Sequence, residues 1–321
     1  MEPTTTIESG AAIADDRIAF ALLAAVLARL DEAGICSRAI ADIYRPGSLR
    51  REAVSITGLE GSLVRMETLA TLLADSEETA VDRGSLMALG IHNALEKMTG
   101  WPEEGPTSDE VSDAFKTSDA ANGRLMRADA VWSLEDDSEW MANELSRVSE
   151  TSEPWTAVEV MRSIWTSGRF FGNSRRMALI AAPWVLETGF GLSTRAIGIA
   201  SGISKNVDAV RNASGDKNTW SVVFAERAAA GIQTELENFR NVPARITSME
   251  ALCPTERSSS RIGLAIRQFM RTPVVTTKSF SKALNVSDRG AKIILDKLIE
   301  TSVIDVEGGA RNRKFVCRRA M

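Results

Sequence analysis

The sequence predicts a mainly helical protein, a helical body closed by a small C-terminal unit of helices and a β-hairpin. Three observations predict it. Apolar residues recur at helical spacing in most segments up to Phe239. The charge balance changes sign late in the chain: from residue 259 onward 13 Lys/Arg stand against 5 Asp/Glu, a net of +8, which leaves −13 for the residues before it. Residues 260–321 also follow a helix, helix, turn, helix, hairpin order.

Taking the elements in order, residues 1–12 are rich in Thr, Ser, Gly and Ala and promise little order. Asp15–Leu30 is an amphipathic helix with Asp15 and Asp16 near its start and Gly34 past its end. Asp31–Tyr44 forms a second helix that Arg45-Pro46-Gly47 is expected to stop. Arg50–Ala74 is helical with a break at Gly58 and Gly61, and Gly84–Thr99 is helical up to Gly100. Residues 101–123 read as a polar loop with a short helix at Asp109–Lys116. Ala130-Val131-Trp132-Ser133 reads as a short strand. Helices then follow at Asp137–Val148, Trp155–Trp165, Met177–Thr188, Ser193–Ala200, Lys205–Ala213 and Trp220–Phe239. The Pro- and Ser-containing stretch 241–259 reads as a linker. The domains are then a helical region at 1–100, a core at 101–240, the linker, and a C-terminal domain at 260–321.

Within that last domain Ile262–Met270 carries Ile262, Ala265, Ile266 and Phe269 on one face. Thr276 or Thr277 caps a short helix holding Phe280 and Ala283. Leu284-Asn285-Val286 turns the chain, and Ser287 caps a helix with Ala291, Ile294, Leu295 and Leu298 inward. Val303–Val306 and Lys314–Cys317 are the strands of a hairpin turned at Gly308 and Gly309. This is the order of a winged helix-turn-helix. Thr277, Ser287, Arg289 and Lys292 then stand where such a motif meets DNA, and Arg311, Arg313 and Lys314 load the wing for phosphate contacts. A basic unit on an acidic body suits a polyanion at one end only.

The centre of the chain holds Gly168-Arg-Phe-Phe-Gly-Asn-Ser-Arg-Arg176, a polar, Gly-containing loop ahead of a helix. Gly172, Asn173 and Ser174 offer backbone N–H groups at a helix start, and Arg175 and Arg176 add two guanidinium forks, the make-up of an anion or nucleotide-phosphate cradle. A residue pattern of this kind is equally helix punctuation. The single His, His92, sits at helical spacing with Leu89 and Leu95 and reads as a packing residue. Cys36, Cys253 and Cys317 are scattered without metal spacing, which points to free thiols and a reducing compartment. No apolar run reaches the roughly 18 residues of a membrane helix, and the expectation is a cytoplasmic protein with no metal and no cofactor.

Four segments, taken together, resemble Fic-domain proteins, the fold best known for moving AMP onto hydroxyl side chains, in versions with a C-terminal winged helix. Ser55-Ile-Thr-Gly-Leu-Glu60-Gly61 is similar to the family's Ser-Ser-x-Ile-Glu-Gly segment. Gly123-Arg-Leu-Met-Arg127 is similar to the stretch ahead of its target-docking flap. Phe170-Phe171-Gly172-Asn173-Ser174-Arg175 is similar to its signature Phe-x-Asp-Gly-Asn-Gly-Arg, and Gly215–Phe224 to the Trp-containing helix after the core. The resemblance implies a Fic-like helical body followed by a small winged helix-turn-helix domain. It also implies a Glu, here Glu60, able to pair with the family's second Arg, here Arg176. The family's catalytic His falls on Ser167 and its metal-binding acid on Phe171, and neither side chain fills the role. No catalytic residue is therefore expected.

The reading that follows is a DNA-binding transcriptional regulator, double-stranded DNA its partner and a homodimer its form, whose inactive body serves dimerisation or senses a small-molecule or nucleotide effector. Two alternatives stand beside it: a nucleotide-handling enzyme with altered chemistry, and a protein-interaction module. Ser193–Ala213, with a turn at Ser201-Gly202-Ile203, is itself readable as a helix-turn-helix.

Overall fold

In the computed structural model, which describes residues 8–74, 81–119, 128–193, 197–253, 261–309 and 313–321, the chain is mainly helical with one small sheet. The body contains α1 (Glu8–Cys36), α2 (Arg38–Leu59), α3 (Met66–Ala74), α4 (Arg83–Met98), α5 (Ser108–Asp119), α6 (Ala128–Thr151), α7 (Pro154–Thr166), α8 (Ser174–Phe190), α9 (Ile199–Ser204), α10 (Val207–Ala213) and α11 (Lys217–Ala251). One continuous apolar core joins them, running from Leu23 and Leu27 of α1 through Ile91, Leu95, Phe115 and Met161 to Trp184, Trp220 and Phe224.

Several boundaries differ from the sequence expectation. Gly34 does not end α1, and Arg45-Pro46-Gly47 does not stop α2, which carries Pro46 in its interior. The reason is tertiary. Gly47, Ser48 and Leu49 are buried, so the packing of this face outweighs the one hydrogen bond that the proline ring cannot donate. Residues 128–133 are helical from the start of α6, although their composition suits a strand. Of the helix expected at Ser193–Ala200, Ser193, Ile197 and Gly198 are not helical, α9 begins at Ile199, and residues 194–196 lie outside the described residues. The expected linker is helix as far as Ala251, because α11 continues through Pro243 and buries Val242, Ile246 and Met249. Residues 254–260 and the flap residues 123–127 lie outside the described residues.

After the body come α12 (Ile262–Arg271), β1 (Val274–Val275), α13 (Thr277–Leu284), α14 (Asp288–Glu300), β2 (Asp305–Glu307) and β3 (Lys314–Val316). The sheet order is β1-β3-β2, antiparallel throughout, with Val275 opposite Phe315 and Val306 opposite Phe315 on the other side. Strand β1 has only two residues, too few to leave a periodic signal in the sequence. Its Val274 and Val316 meet Ala70 of α3. The caps are local chemistry. Thr276 and Ser279 exchange side-chain and backbone bonds at 3.1 and 2.9 Å to start α13, and Ser287 Oγ accepts from Gly290 N–H at 3.2 Å to start α14. Asn285 supplies the left-handed residue between the two helices (φ +50).

Three consecutive residues of α2 bind it to three other helices. Arg50 donates to the Arg271 carbonyl at the end of α12 (2.9 Å), so a cation sits on a helix C-terminus. Arg51 grips the Glu235 carboxylate of α11 with both arms of its fork, at 2.9 and 2.7 Å. Ser48 Oγ adds a third donor to that carboxylate at 2.7 Å, and the Tyr44 hydroxyl a fourth. Glu52 accepts from the Ala200 N–H at the start of α9 (2.7 Å). Helix α9 can lie this close because Gly202 and Gly231 bring the backbones of α9 and α11 together; a Cβ on Gly202 would stand 1.9 Å from the Arg227 carbonyl oxygen.

Burial pushes the Glu52 carboxyl up to about 7, against the Ala200 N–H that favours its charge. A raised carboxyl binds its proton more tightly folded than unfolded. It therefore stabilises fully below about 4.5, the ordinary value, and the contribution is lost as pH rises through 7. Glu52→Gln keeps the acceptor and removes the charge. Thermal melts should show the variant gaining on the parent between pH 4.5 and 7, by an amount on the order of 3 kcal/mol, and a gap that stays constant with pH would contradict this. Gly202→Ala should destabilise by about 3 kcal/mol or more in urea denaturation, because the clashing atoms are backbone.

Candidate functional site

Two places carry the residues that the sequence singles out. The first is the solvent side of the C-terminal unit. Ser287, Arg289 and Lys292 are exposed at the beginning of α14, and Thr277 is half-buried in the first turn of α13. Arg313 is exposed at the start of β3, its guanidinium 5.3 Å from the centre of the Phe315 ring. Lys314 departs from expectation. It is 8% exposed in β3, the central strand of the sheet, whose three residues are all buried, so it presents no charge for a phosphate. Arg311 lies outside the described residues. Lys278 and Lys282 on α13 and Lys297 on α14 are also exposed, and only the domain's net charge signals them in the sequence. None of Lys278, Lys282, Arg289, Lys292, Lys297 and Arg313 forms an ion pair among the described residues. Arg318 is the contrast, clamped by Glu67 of α3 at 2.6 Å and by Asp305 at 3.1 Å.

The second place is the central loop. After α7 the backbone passes through Gly168 (φ +68), Phe170 (φ +56), Phe171 (φ +54) and Gly172 (φ +83) before α8 begins. Two aromatic residues in the left-handed region are strained, at a cost of order 1–3 kcal/mol each. The surroundings hold them there. Asp137 of α6 accepts from the Phe170 N–H (2.6 Å) and from Arg169 (2.9 Å), and the buried Phe170 ring packs 5.4 Å from Phe115.

This geometry corrects the phosphate cradle. The Gly172 and Asn173 N–H groups are not free: they donate to the carbonyls of Arg169 (3.1 Å) and Phe170 (2.9 Å). Ser174 is buried and donates to the Trp165 carbonyl at 3.2 Å. Arg176 is 2% exposed and is spent inside the fold on Glu60 (2.9 Å), Asp119 (3.2 Å) and Asn173 Oδ1 (3.2 Å). The Glu60 pair is the one that the Fic resemblance implies. Of the five cradle residues only Arg175 keeps an exposed charge, with Trp165 5.9 Å away. It opens with Arg211 of α10 onto a cleft of about 360 Å³ lined also by Glu60, Gly61 and Gly172.

Among the described residues, neither Ser167 nor Phe171 brings a base or a metal ligand to this loop. Ser167 ends α7, donating to the Ile164 carbonyl at 2.9 Å, and its oxygen accepts from Arg169 N–H at 3.2 Å. Phe171, 42% exposed, offers no ligand atom. His92 is 3% exposed within α4, where burial first and Arg50 second push its imidazole down to about 4, so it stays neutral. Among the described residues no group of His, Cys, Asp and Glu could hold a metal. Cys36 is exposed and Cys253 and Cys317 are buried, all as free thiols. No helix among the described residues is long and apolar enough to cross a membrane. In Ser193–Ala213, the other segment readable as a helix-turn-helix, Ile199, Ala200, Gly202 and Ile203 are buried against the body, and Ser204 is the one exposed residue of α9.

Removing the Arg176 charge leaves two carboxylates facing each other in a partly buried site. Arg176→Met should cost about 3 kcal/mol in urea denaturation, and adding Glu60→Gln and Asp119→Asn should recover part of it; a loss too small to measure would contradict the pairing. No family model and no curated protein matches the chain. Among solved structures it is similar to a Fic family protein from Desulfovibrio desulfuricans G20, with a TM-score of 0.47 and 11% identity over 92% of this chain and 95% of that one.

Proposed function

We propose that the chain is a DNA-binding transcriptional regulator. Residues 260–321 act as a winged helix-turn-helix, with α14 entering the major groove and the β2–β3 hairpin lying along the backbone. The observation that carries the reading is the set of exposed cations on α13, α14 and β3 that form no ion pair among the described residues, on a unit where Arg261, Arg267 and Arg318 are bonded within the fold. Cations left without partners on one small unit suit phosphates, which they neutralise with release of counterions. The element order α12-β1-α13-α14-β2-β3 and the sheet order β1-β3-β2 agree with it.

The body, on this reading, is a Fic-like fold that has given up the family's chemistry and serves homodimerisation or sensing. Its support is the ordered resemblance in the sequence together with the Glu60–Arg176 pair. A second reading has its own observation: Arg175 and Arg211 beside the 360 Å³ cleft would receive a nucleotide phosphate. Calorimetry with millimolar ATP against Arg175→Ala tests it, and absence of heat removes it.

The DNA reading is tested by fluorescence anisotropy with double-stranded DNA over a salt series. Affinity should fall steeply with salt. Arg289→Ala, Lys292→Ala and Arg313→Ala combined should flatten the slope of log K against log salt by about 0.9 for each phosphate no longer neutralised. Binding that ignores salt, or that the triple variant leaves unchanged, overturns the proposal.

A further inference from the structure

Helix α14 carries an anomaly at its most outward point. Ala291, Leu295 and Leu298 are fully buried and define its inner stripe. At 3.6 residues per turn positions 293 and 300 lie opposite that stripe; 300 is an exposed glutamate in the last turn, and 293 holds an isoleucine that is 58% exposed. Arg289 lies one turn before Ile293 and Lys297 one turn after it, both exposed, and Lys292 flanks it. A β-branched apolar residue gains nothing on a bare helix surface, where its propensity is below that of Lys, Glu or Ala. The stripe Arg289–Ile293–Lys297 is thus cationic at both ends and apolar in the middle.

We infer that Ile293 is a specificity-determining residue, making apolar contact with the C5 methyl group of a thymine in the major groove. The inference rests on the DNA-binding reading above and deepens it. The thymine methyl is the apolar feature of the major-groove floor, and it is what a branched aliphatic side chain recognises there. Ile293 is the sixth residue of α14, within the N-terminal half that reaches base edges in helix-turn-helix docking. The flanking cations bind phosphate or guanine and hold the helix in place, while the methyl contact selects the base.

The experiment uses the full chain. Double-stranded DNA is selected from a random library, and each thymine of the retained site is replaced in turn by deoxyuridine, which differs only by the missing methyl. At one or two positions per site the replacement should weaken binding about fourfold, the effect of withdrawing one methyl group's burial. Ile293→Ala should bind the thymine and deoxyuridine sites equally, with an unchanged salt slope and an unchanged melting temperature, and Ile293→Val should restore part of the preference. A thymine preference that survives Ile293→Ala overturns the inference. So does retained DNA whose binding ignores deoxyuridine at every position, which leaves the DNA reading standing. If no DNA is retained, the DNA reading falls and this inference with it.

Discussion

The structure depends on three adjacent polar side chains in the middle of one helix. Arg50, Arg51 and Glu52 of α2 point in three directions, at the end of α12, the side of α11 and the start of α9. Successive helical positions are about 100° apart, so three neighbours reach three partners. Each interaction is one that burial makes expensive to break. Glu235 accepts from Arg51, Ser48 and Tyr44 at once, so losing α2 would strand a buried carboxylate. The same helix that anchors the body therefore also holds the C-terminal unit.

That unit is consequently not a bead on a string. Ile43 of α2 and Val242, Ile246 and Met249 of α11 share one apolar cluster with Ile262, Ile266, Phe269, Leu295 and Phe315. Arg318 ties the C-terminal end to Glu67 of α3, and Val274 and Val316 rest on Ala70. Where the unit meets the body it offers apolar side chains and the Arg318–Glu67 pair, and six of its exposed cations are on α13, α14 and β3. On the proposed function, a change in the body that moved α2 would move α12 with it. Effector sensing would then need no flexible tether.

Much of this is legible in the sequence because it is local. Helical periodicity, the Ser287 cap, the Asn285 turn and the hairpin all follow from neighbours a few residues apart, and α12, α13, α14 and β3 appear where the pattern puts them, while β2 begins two residues later and β1 is not signalled. What fails is decided at long range. Pro46-Gly47 reads as a stop, and only the burial of that face by other helices keeps α2 going. The role of Arg50-Arg51-Glu52 goes unread, since partners 148 to 221 residues away leave no mark on the local pattern. The central loop resembles an anion cradle because its residue types fit one. Its N–H groups are bonded within the turn and Arg176 is bonded to Glu60 and Asp119, facts about geometry that composition does not carry. Lys314 fails for a related reason, since it stands in the central strand of the sheet, where all three residues are buried.

Two clusters of cations thus have opposite fates in one chain. Arg50, Arg51 and Arg176 hold the fold together, and the exposed cations of α13, α14 and β3 are the ones that the proposed function gives to DNA. Hydrogen–deuterium exchange of the full chain, with and without saturating double-stranded DNA, tests this division most directly. The account predicts slower exchange in α13, α14 and the β2–β3 hairpin, and none gained in the loop at 168–176. Protection at that loop with α14 unaffected would contradict it.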